Sequence, residues 1–311
     1  MMRKTSVLRK ILDRDGIVVT PGVYDAVTAK IVEHVGFESA CITGAGVAAS
    51  SLGMPDTGLV TLNDMLTVAA RIVNAVDIPI VCDGDTGYGN AINVMRTIRE
   101  SIQAGVAAIL IEDQVFPKRC GHTRGKLLVS KEEMLGKIRA ADDTRREMDP
   151  DFILIARCDA RTAVGGGIDE VIERGNAYAR AGADIIFPES PLSIDEMELL
   201  GKRIDAPLLA NMIVKGGLTP LVPTRKLRDM GYVMVAFPLA TLQLTMKSVM
   251  NLMAGLKEKG IEVFKDFEDN MVSTAEAFEI SGFQAYLDDE EKYLPKELLE
   301  SRYKQKTTGL I

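Results

Sequence analysis

Short apolar runs alternate with longer segments of helical periodicity from residue 17 to residue 259 of this chain. Eight such runs occur, and they are too uniformly apolar to leave one face of a strand in water, which is typical of parallel strands covered on both sides. The predicted strands span residues 17–19, 39–43, 78–83, 107–112, 152–157, 184–188, 207–211 and 233–237. Eight repeats of strand then helix predict an α/β fold, a (β/α)8 TIM-type barrel.

The segments between the runs predict helices, the clearest at residues 61–76, 91–104, 131–146 and 169–181. Gly105 and Gly182 follow two of them, at the position where glycine most often ends a helix. An open, doubly wound sheet is the alternative fold. It would require a dinucleotide-binding glycine fingerprint after an early strand, and the glycines of residues 84–89 come in a different order, so the closed barrel is preferred.

The length and composition fit one barrel with an appendage. The chain has 311 residues, 47% of them hydrophobic, and barrels of this type need about 250 residues. We predict a catalytic barrel over residues 1–260 and an acidic helical tail over residues 261–311. The large apolar residues of the tail must be buried, either on a neighbouring subunit or on the chain's own barrel. Met246, Met250 and Met253, at helical spacing just before the tail, are predicted to face a core.

Charge and cysteine content restrict the class of partner. A net charge of −7 and a pI near 5.1 argue against a nucleic-acid or anionic-membrane surface, which needs a basic face. Four cysteines without paired local spacing indicate a reduced, cytoplasmic protein. The basic start of the chain is interrupted at residues 13–15 before a signal segment develops, and no apolar run reaches the length of a membrane span. We therefore expect a small-molecule partner.

Polar residues follow most of the predicted strands, where barrel enzymes carry their active sites. They are Thr43, Gly44, Asp83, Asp85, Glu112, Asp113, Arg157, Asp159, Glu189 and Asn211. Asp83, Asp85 and Glu112 offer carboxylate oxygens without a histidine or thiolate, a ligand set that suits Mg²⁺ or Mn²⁺. Arg157 is suited to bind a substrate carboxylate with two hydrogen bonds. The alternative is an internal lattice of ion pairs that joins Arg157 to Asp85 and Glu189.

The loop after strand four concentrates reactive and cationic groups. Lys118, Arg119, Cys120, His122, Arg124 and Lys126 fall within nine positions. Neighbouring cations stabilise a thiolate, so we expect a lowered pKa for Cys120 and a role in proton transfer or nucleophilic attack. The alternative is a solvated basic loop with an incidental cysteine.

At these residues the sequence resembles the isocitrate lyase/phosphoenolpyruvate mutase superfamily. The segment KRCGH at residues 118–122 is similar to the lyase signature of that family. Further similarity lies in GMPD at 53–56, DGDTGYG at 83–89, IEDQ at 111–114, ARCDA at 156–160, FPE at 187–189 and TP at 219–220. The resemblance spans about residues 17 to 260, most of the predicted barrel.

The resemblance implies a Mg²⁺-dependent enzyme that breaks the C2–C3 bond of a 2-hydroxy diacid or triacid to release a 2-oxo acid. Asp83 would hold the ion directly, and Asp85 and Glu112 mainly through water. The ion would bind the α-carboxylate and hydroxyl of the substrate, as would four protein residues: Thr43, Gly44, Ala45 and Arg157. Members of the family are often homotetramers, dimers of dimers, whose C-terminal helix is swapped onto a neighbour.

The same resemblance makes Cys120 the acid that protonates the leaving carbanion. Lys118, His122 and Asn211 would surround the second carboxylate. Asp56 or a metal-bound water would accept the hydroxyl proton. The remaining predicted substrate-binding residues are Gly121, Glu189 and Thr219.

Departures from the family pattern direct the choice of substrate. Cys41 stands where members that cleave methylisocitrate have tyrosine. The segment 211–220 is one residue longer than in those members and carries Val214-Lys215 where they have a glutamate. Pro238 stands at the position that looks like a serine of the oxaloacetate hydrolases. We predict a lyase that releases pyruvate from a 2,3-dimethylmalate-type diacid. Alternatives are cleavage of 2-methylisocitrate to pyruvate and succinate, carboxyphosphonoenolpyruvate or phosphonopyruvate P–C chemistry, and a non-catalytic binding protein.

Overall fold

The structure is a computed structural model that describes residues 2–303. Eight parallel strands close into a barrel in sequence order, each paired with its neighbours and β1 with β8. The strands are β1 (Val18–Val23), β2 (Ala40–Ile42), β3 (Ile80–Asp83), β4 (Ala108–Glu112), β5 (Ile153–Cys158), β6 (Ile185–Pro188), β7 (Leu208–Asn211) and β8 (Tyr232–Phe237). The predicted barrel is confirmed, and the open sheet is excluded.

Helices connect the strands and continue beyond them. Those of residues 1–243 are α1 (Lys4–Leu12), α2 (Ala26–His34), α3 (Gly44–Val47), α4 (Leu62–Ala75), α5 (Ala91–Gln103), α6 (Lys131–Met148), α7 (Ile168–Arg180), α8 (Ile194–Arg203) and α9 (Thr224–Asp229). The later ones are α10 (Ala240–Lys259), α11 (Phe264–Phe267), α12 (Thr274–Ser281), α13 (Phe283–Tyr293) and α14 (Lys296–Tyr303). Local sequence signals set several helix ends. Thr61 and Asp64 form a capping box at the start of α4, which gives a hydrogen-bond partner to backbone amides that have none within the helix.

The apolar residues of the barrel form two separate cores. One fills the space between the strands and the surrounding helices, and the other lies inside the barrel. Leu8 and Ile11 of α1 belong to the inner core, so α1 covers the amino end of the barrel. The carboxyl end is therefore the open face, where barrel enzymes place their active sites.

Strand periodicity decides which residues face this open end from inside. Successive residues of a strand point to opposite faces, and Ile153 and Ile155 of β5 belong to the inner core. Arg157 continues the same face at the tip of the strand. By the same alternation Asp83 follows Val81 on β3, and Glu112 follows Leu110 on β4. Several polar residues found at strand ends are thus directed inward together.

The first strand is longer than the sequence predicted. It continues through Pro21 and Gly22, residues that weaken most strands, and Pro21 pairs with Phe237 of β8. Gly22 is needed there because a side chain would overlap the backbone carbonyl of Pro238. Closure of the barrel between its first and last strands overrides the local signal to end at residue 19.

The chain divides into two compact units, residues 1–243 and residues from 244 onward. By this division α10 groups with the later helices, whereas the sequence placed the boundary at residue 260. The prediction that Met246, Met250 and Met253 face a core is wrong for the single chain, since they are 48, 65 and 48% exposed. None of the helices between residues 2 and 303 has the length and apolarity to cross a bilayer.

Candidate active site

A cavity of about 70 Å³ opens at the carboxyl ends of the strands. Its polar lining consists of Thr20, Thr43, Asp56, Asp83, Cys120, His122, Arg157, Glu189 and Asn211. Its apolar lining includes Cys41, Val81, Leu110, Phe187, Leu209 and Ala236, all members of the inner barrel core. The cavity is therefore polar at the strand tips and apolar beneath them.

The carboxylates of β3 and β4 occupy one side of the site. Asp83 Oδ2 accepts a hydrogen bond of 3.0 Å from the backbone amide of Gly44, and Asp83 Oδ1 one of 3.0 Å from that of Asp85. A Cβ at position 44 would lie 2.7 Å from Asp83 Oδ2. Glycine is therefore required there for the backbone to approach the carboxylate.

Glu112 is fully buried, and neither of its oxygens accepts a hydrogen bond within the described part of the chain. Burial raises its pKa well above the usual range, although Arg157 and Lys118 oppose this. A buried carboxylate with spare lone pairs is suited to bind water or a cation. Together with Asp83 and Asp85 it supplies hard oxygen donors that fit Mg²⁺ or Mn²⁺.

These carboxylates do not converge as a ready-made set of ligands. Within residues 2–303, no group of three or more His, Cys, Asp or Glu side chains is spaced to hold a metal ion. Such spacing is required only if three side chains coordinate the ion directly. The ligand set expected from the sequence has one direct carboxylate, Asp83, and two that act through water, and the donor chemistry fits that arrangement.

Lys118 lies among these acids. Its Nζ is 2.5 Å from Asp56 Oδ1 and 2.6 Å from Asp85 Oδ1. Burial lowers its pKa, but the surrounding carboxylates, Glu112 first among them, raise it well above the usual range. The sequence grouped Lys118 with His122 and Asn211 around a second carboxylate. The structure places Lys118 beside Asp56 and Asp85 and outside the cavity lining, whereas His122 and Asn211 line the cavity.

The loop between β4 and α6 closes over the cavity. At its base Gln114 and Leu128 form an antiparallel bridge. The Gln114 side chain also binds the backbone of Arg119 twice, donating to its oxygen at 2.8 Å and accepting from its nitrogen at 2.9 Å. Cys120, one residue further, lines the cavity. The alternative of a solvated loop with an incidental cysteine does not describe this arrangement.

The expected lowering of the Cys120 pKa is wrong. Burial raises it, and a backbone hydrogen bond at His122 offsets this only in part. Two cations of the loop are paired with carboxylates instead: Lys118 with Asp56 and Asp85, and Lys126 with Asp159. Neutralised cations do little to stabilise a thiolate. The thiol is therefore held protonated, the state that a proton donor requires.

Three side chains at the tips of β6 and β7 and in the loop form a second polar group. His122 Nε2 lies 2.9 Å from Glu189 Oε1, while His122 Nδ1 accepts a hydrogen bond of 2.9 Å from the backbone of Leu218. An accepting Nδ1 places the proton of a neutral imidazole on Nε2, which donates to Glu189. Asn211 Nδ2 donates to Glu189 Oε2 at 3.1 Å. Although burial opposes it, Arg157 and His122 hold the pKa of Glu189 well below its usual range.

Arg157 lines the cavity within an ion-pair lattice. Its Nε and Nη2 donate to Asp159 at 2.9 and 3.1 Å, and its Nη1 and Nη2 lie 3.3 Å from Glu112 and 3.5 Å from Glu189. The lattice that the sequence offered as an alternative joined Arg157 to Asp85. In the structure Asp85 pairs with Lys118 instead, and Asp159 takes that place.

The other predicted residues are divided between the lining and its surroundings. Ala45 and Gly121 line the cavity, whereas Gly44, Asp85, Glu112 and Thr219 lie outside its lining. Thr219 is buried, and its hydroxyl has no hydrogen-bond partner within residues 2–303.

Sequence reasoning missed the contribution of Asp159 and Lys126. Asp159 was noted only as an acid after strand five. Its pairing with Lys126 across 33 positions left no local signal, and the joint burial of an acid and a lysine is visible only in the structure.

Comparison with known proteins places this site in a family. The family model described as phosphoenolpyruvate phosphomutase matches residues 8–257, which include every strand of the barrel. The 2,3-dimethylmalate lyase of Eubacterium barkeri is 45% identical over 292 residues, covering 94% of this chain and 99% of that protein. This chain belongs to the isocitrate lyase/phosphoenolpyruvate mutase superfamily. The membership predicted from residues 118–122 and the related segments is confirmed.

Other superfamily members are nearly as similar. The 2-methylisocitrate lyase of Aeropyrum pernix is 41% identical over 97% of this chain and 96% of its own length. A crystal structure of 2,3-dimethylmalate lyase superposes with a TM-score of 0.87 at 35% identity, covering 94% of this chain and 96% of that one. Phosphonopyruvate hydrolase, solved with oxalate and Mg²⁺, superposes with a TM-score of 0.82 at 28% identity, covering 94% and 100%. The superfamily therefore includes both C–C lyases and enzymes of phosphonate chemistry.

Proposed function

We propose that this chain is a Mg²⁺-dependent carbon–carbon lyase that cleaves a 2-hydroxy-2-methyl dicarboxylate of the 2,3-dimethylmalate type to pyruvate and a second carboxylic acid. One observation carries the proposal: a protonated thiol, Cys120, and the carboxylates Asp56 and Asp83 line the same small cavity. A proton donor and a metal-side acid in one cavity are what cleavage next to a hydroxyl group needs.

The apolar lining of the cavity favours the less polar of the candidate substrates. The apolar floor, which includes Cys41, Leu110 and Ala236, suits methyl groups. 2-Methylisocitrate, a triacid, has a carboxymethyl group where 2,3-dimethylmalate has its C3 methyl group, so it is the second candidate.

The proposed cleavage divides the substrate between C2 and C3. The C2 hydroxyl loses its proton, for which Asp56 is the candidate acceptor, and C2 becomes the carbonyl of pyruvate. The C2–C3 bond breaks, and its electrons pass to the second carboxylate as an aci-carboxylate. The Cys120 thiol then protonates C3. Arg157 would orient a substrate carboxylate, and the second N–H of the Asn211 amide would donate a hydrogen bond to the developing charge. Glu189, which His122 also contacts, holds that amide in place.

The metal, proposed as Mg²⁺ with Mn²⁺ as a substitute, would be held by Asp83 directly and by Asp85 and Glu112 through water. When bound, it supplies a Lewis acid that lowers the pKa of the substrate hydroxyl. Protein groups then complete the site: the Gly44 amide fixes the orientation of Asp83, and Lys118 balances the charge of Asp56 and Asp85.

A screen of diacids tests this function. The protein with Mg²⁺ is incubated with 2,3-dimethylmalate, 2-methylisocitrate or phosphonopyruvate, and pyruvate is measured with coupled lactate dehydrogenase. We expect the highest kcat/KM for 2,3-dimethylmalate and loss of activity with a chelator. Phosphonopyruvate is also followed by phosphorus NMR. A new phosphate ester or free phosphate, without pyruvate release from either diacid, would support the phosphonate alternative.

We further propose a cytoplasmic homotetramer, a dimer of dimers, with no nucleic-acid or membrane partner. The unpaired thiols of all four cysteines support a reducing compartment. The exposed apolar residues of α10, among them Leu244, Val249 and Met250 at 69, 51 and 65%, support burial against another subunit.

A further inference from the structure

Lys126, near the end of the loop that carries Cys120, is as deeply buried as any side chain of the site. Its side chain and that of Asp159 are both 0% exposed, and Nζ lies 2.9 Å from Asp159 Oδ1. A buried ammonium group is unfavourable unless it is paired and hydrogen-bonded. Neither residue lines the cavity, so the proposed chemistry does not use them directly.

The second partner of Lys126 is the loop itself. Its Nζ donates a hydrogen bond to the backbone oxygen of Gly121, the residue next to Cys120. The same oxygen accepts a bond of 3.2 Å from the Ser190 hydroxyl. Ser190 has a left-handed backbone (φ +58°), which is uncommon for a residue other than glycine. Lys126 is the main donor to this carbonyl group, because the single hydroxyl proton of Ser190 is shared with Glu189 Oε1 at 2.9 Å.

Asp159 connects this contact to the proposed substrate-binding arginine. Its Oδ1 accepts from both Lys126 and Arg157, and its Oδ2 accepts from Arg157. Although burial opposes it, Arg157 and Lys126 hold the pKa of Asp159 below its usual range. One carboxylate therefore fixes Arg157 directly and the position of Cys120 through Lys126 and Gly121.

We propose that Lys126 is a positioning residue that latches the loop in its closed position, with Asp159 as the fixed side of the latch. Opening the loop would separate Lys126 from Asp159 and release the Gly121 carbonyl. Closing it restores both contacts and brings Cys120 to the cavity. The expected effect of the latch on turnover rests on the proposed function. Closure of the loop does not, because it is measurable without a substrate.

The test compares Lys126→Met, which keeps the length of the side chain but removes its charge, with Lys126→Arg and the wild type. Alkylation of Cys120 by iodoacetamide, followed by mass spectrometry, reports how often the loop is open. The other three cysteines are buried. We expect Lys126→Met to react at least about tenfold faster and to lose about 100-fold in kcat, with a smaller change in KM, since misplacement of a catalytic group costs about that much. Lys126→Arg should lie close to wild type.

Arg145→Met is the matched control for loss of a buried cation. Arg145 is 5% exposed and pairs with Asp142 and Asp184, away from the loop. Equal acceleration of alkylation in Arg145→Met and Lys126→Met would assign the effect to general destabilisation and overturn the proposal. So would a wild-type alkylation rate in Lys126→Met.

If Lys126→Met does not fold, Lys126→Gln provides the second test. It keeps a polar side chain but removes the ammonium group that pairs with Asp159, so we expect faster alkylation than in the wild type, while an unchanged rate would contradict the latch. Absence of lyase activity in the wild type would remove the proposed function but leave the alkylation result to be judged on its own.

Discussion

Cys120 combines burial with a position at the lining of the cavity. Its pKa lies above the ordinary value of a cysteine, which is about 8.5. A nucleophile would need the thiolate, whereas a proton donor needs the thiol, so the direction of the shift favours the donor. The residue's type and neighbours in sequence suggested the opposite shift because they did not show that Lys118 and Lys126 are paired with carboxylates.

The pH dependence of turnover tests this assignment at the level of the residue. A group that acts in its protonated form and has a raised pKa is active below that pKa and inactive above it. We therefore expect kcat/KM to hold through neutral pH and fall only as the pH rises above about 8.5. Iodoacetamide alkylation of Cys120 should increase over the same range. Activity that instead rises with pH up to 9 would indicate that the thiolate is the working form.

Sequence predicted which residues gather at the site better than how they pair. Strand-end position and the inward alternation were enough to bring Asp83, Arg157, Glu189 and Asn211 to one cavity. The partners of Lys118 and the contact of Lys126 with Asp159 depend on how the loop folds back over the barrel. Pairings between residues so far apart in sequence leave no periodic signal.

Among the structural elements, the loop between β4 and α6 is the one that completes the site. The strands and helices were predictable because each has its own period and caps, as the ends of α4 and α5 illustrate. The loop has no period, and its shape follows from Gln114, Lys126 and Gly121. Gly121 packs closely against Arg157 and Glu189, where a Cβ would overlap both side chains.

Substitution Gly121→Ala tests how closely the loop must approach. A Cβ there would lie 2.6 Å from Glu189 Cδ and would also overlap Arg157. We expect kcat/KM to fall about 100-fold or more because the loop cannot close, with the melting temperature nearly unchanged.

The matched control is Gly136→Ala, in the interior of α6, where a Cβ meets no atom within 4 Å. It should stabilise the fold by about 0.5–1 kcal/mol through helix propensity and leave activity intact. Full activity in Gly121→Ala would show that closure against Glu189 is not required.

At the scale of the whole molecule, the proposed assembly rests on the exposed face of α10. Met246, Val249, Met250 and Met253 are all about half exposed or more, an apolar surface that a lone chain would leave in water. Helical spacing in the sequence predicted that the methionines are buried. In the described residues they are exposed, so we propose that another subunit buries them.

The double substitution Met246→Lys, Met250→Lys tests the assembly. We expect wild-type protein to elute as a tetramer in size-exclusion chromatography with light scattering, and the double variant as smaller species. Lys247→Ser, on the same helix and already exposed, should leave the mass unchanged. A monomeric wild type would contradict the proposed oligomer without affecting the site.

The measurement that bears most directly on the proposed reaction is proton NMR of 2,3-dimethylmalate cleavage in D2O with Mg²⁺. Wild-type protein should release pyruvate and propionate in equal amounts, with one deuterium at the propionate carbon that was C3, and Cys120→Ser should release neither at a comparable rate. Failure of the wild type to form pyruvate, or turnover by Cys120→Ser at the wild-type rate, would contradict the assignment of this cavity as a C–C lyase site with Cys120 as its acid.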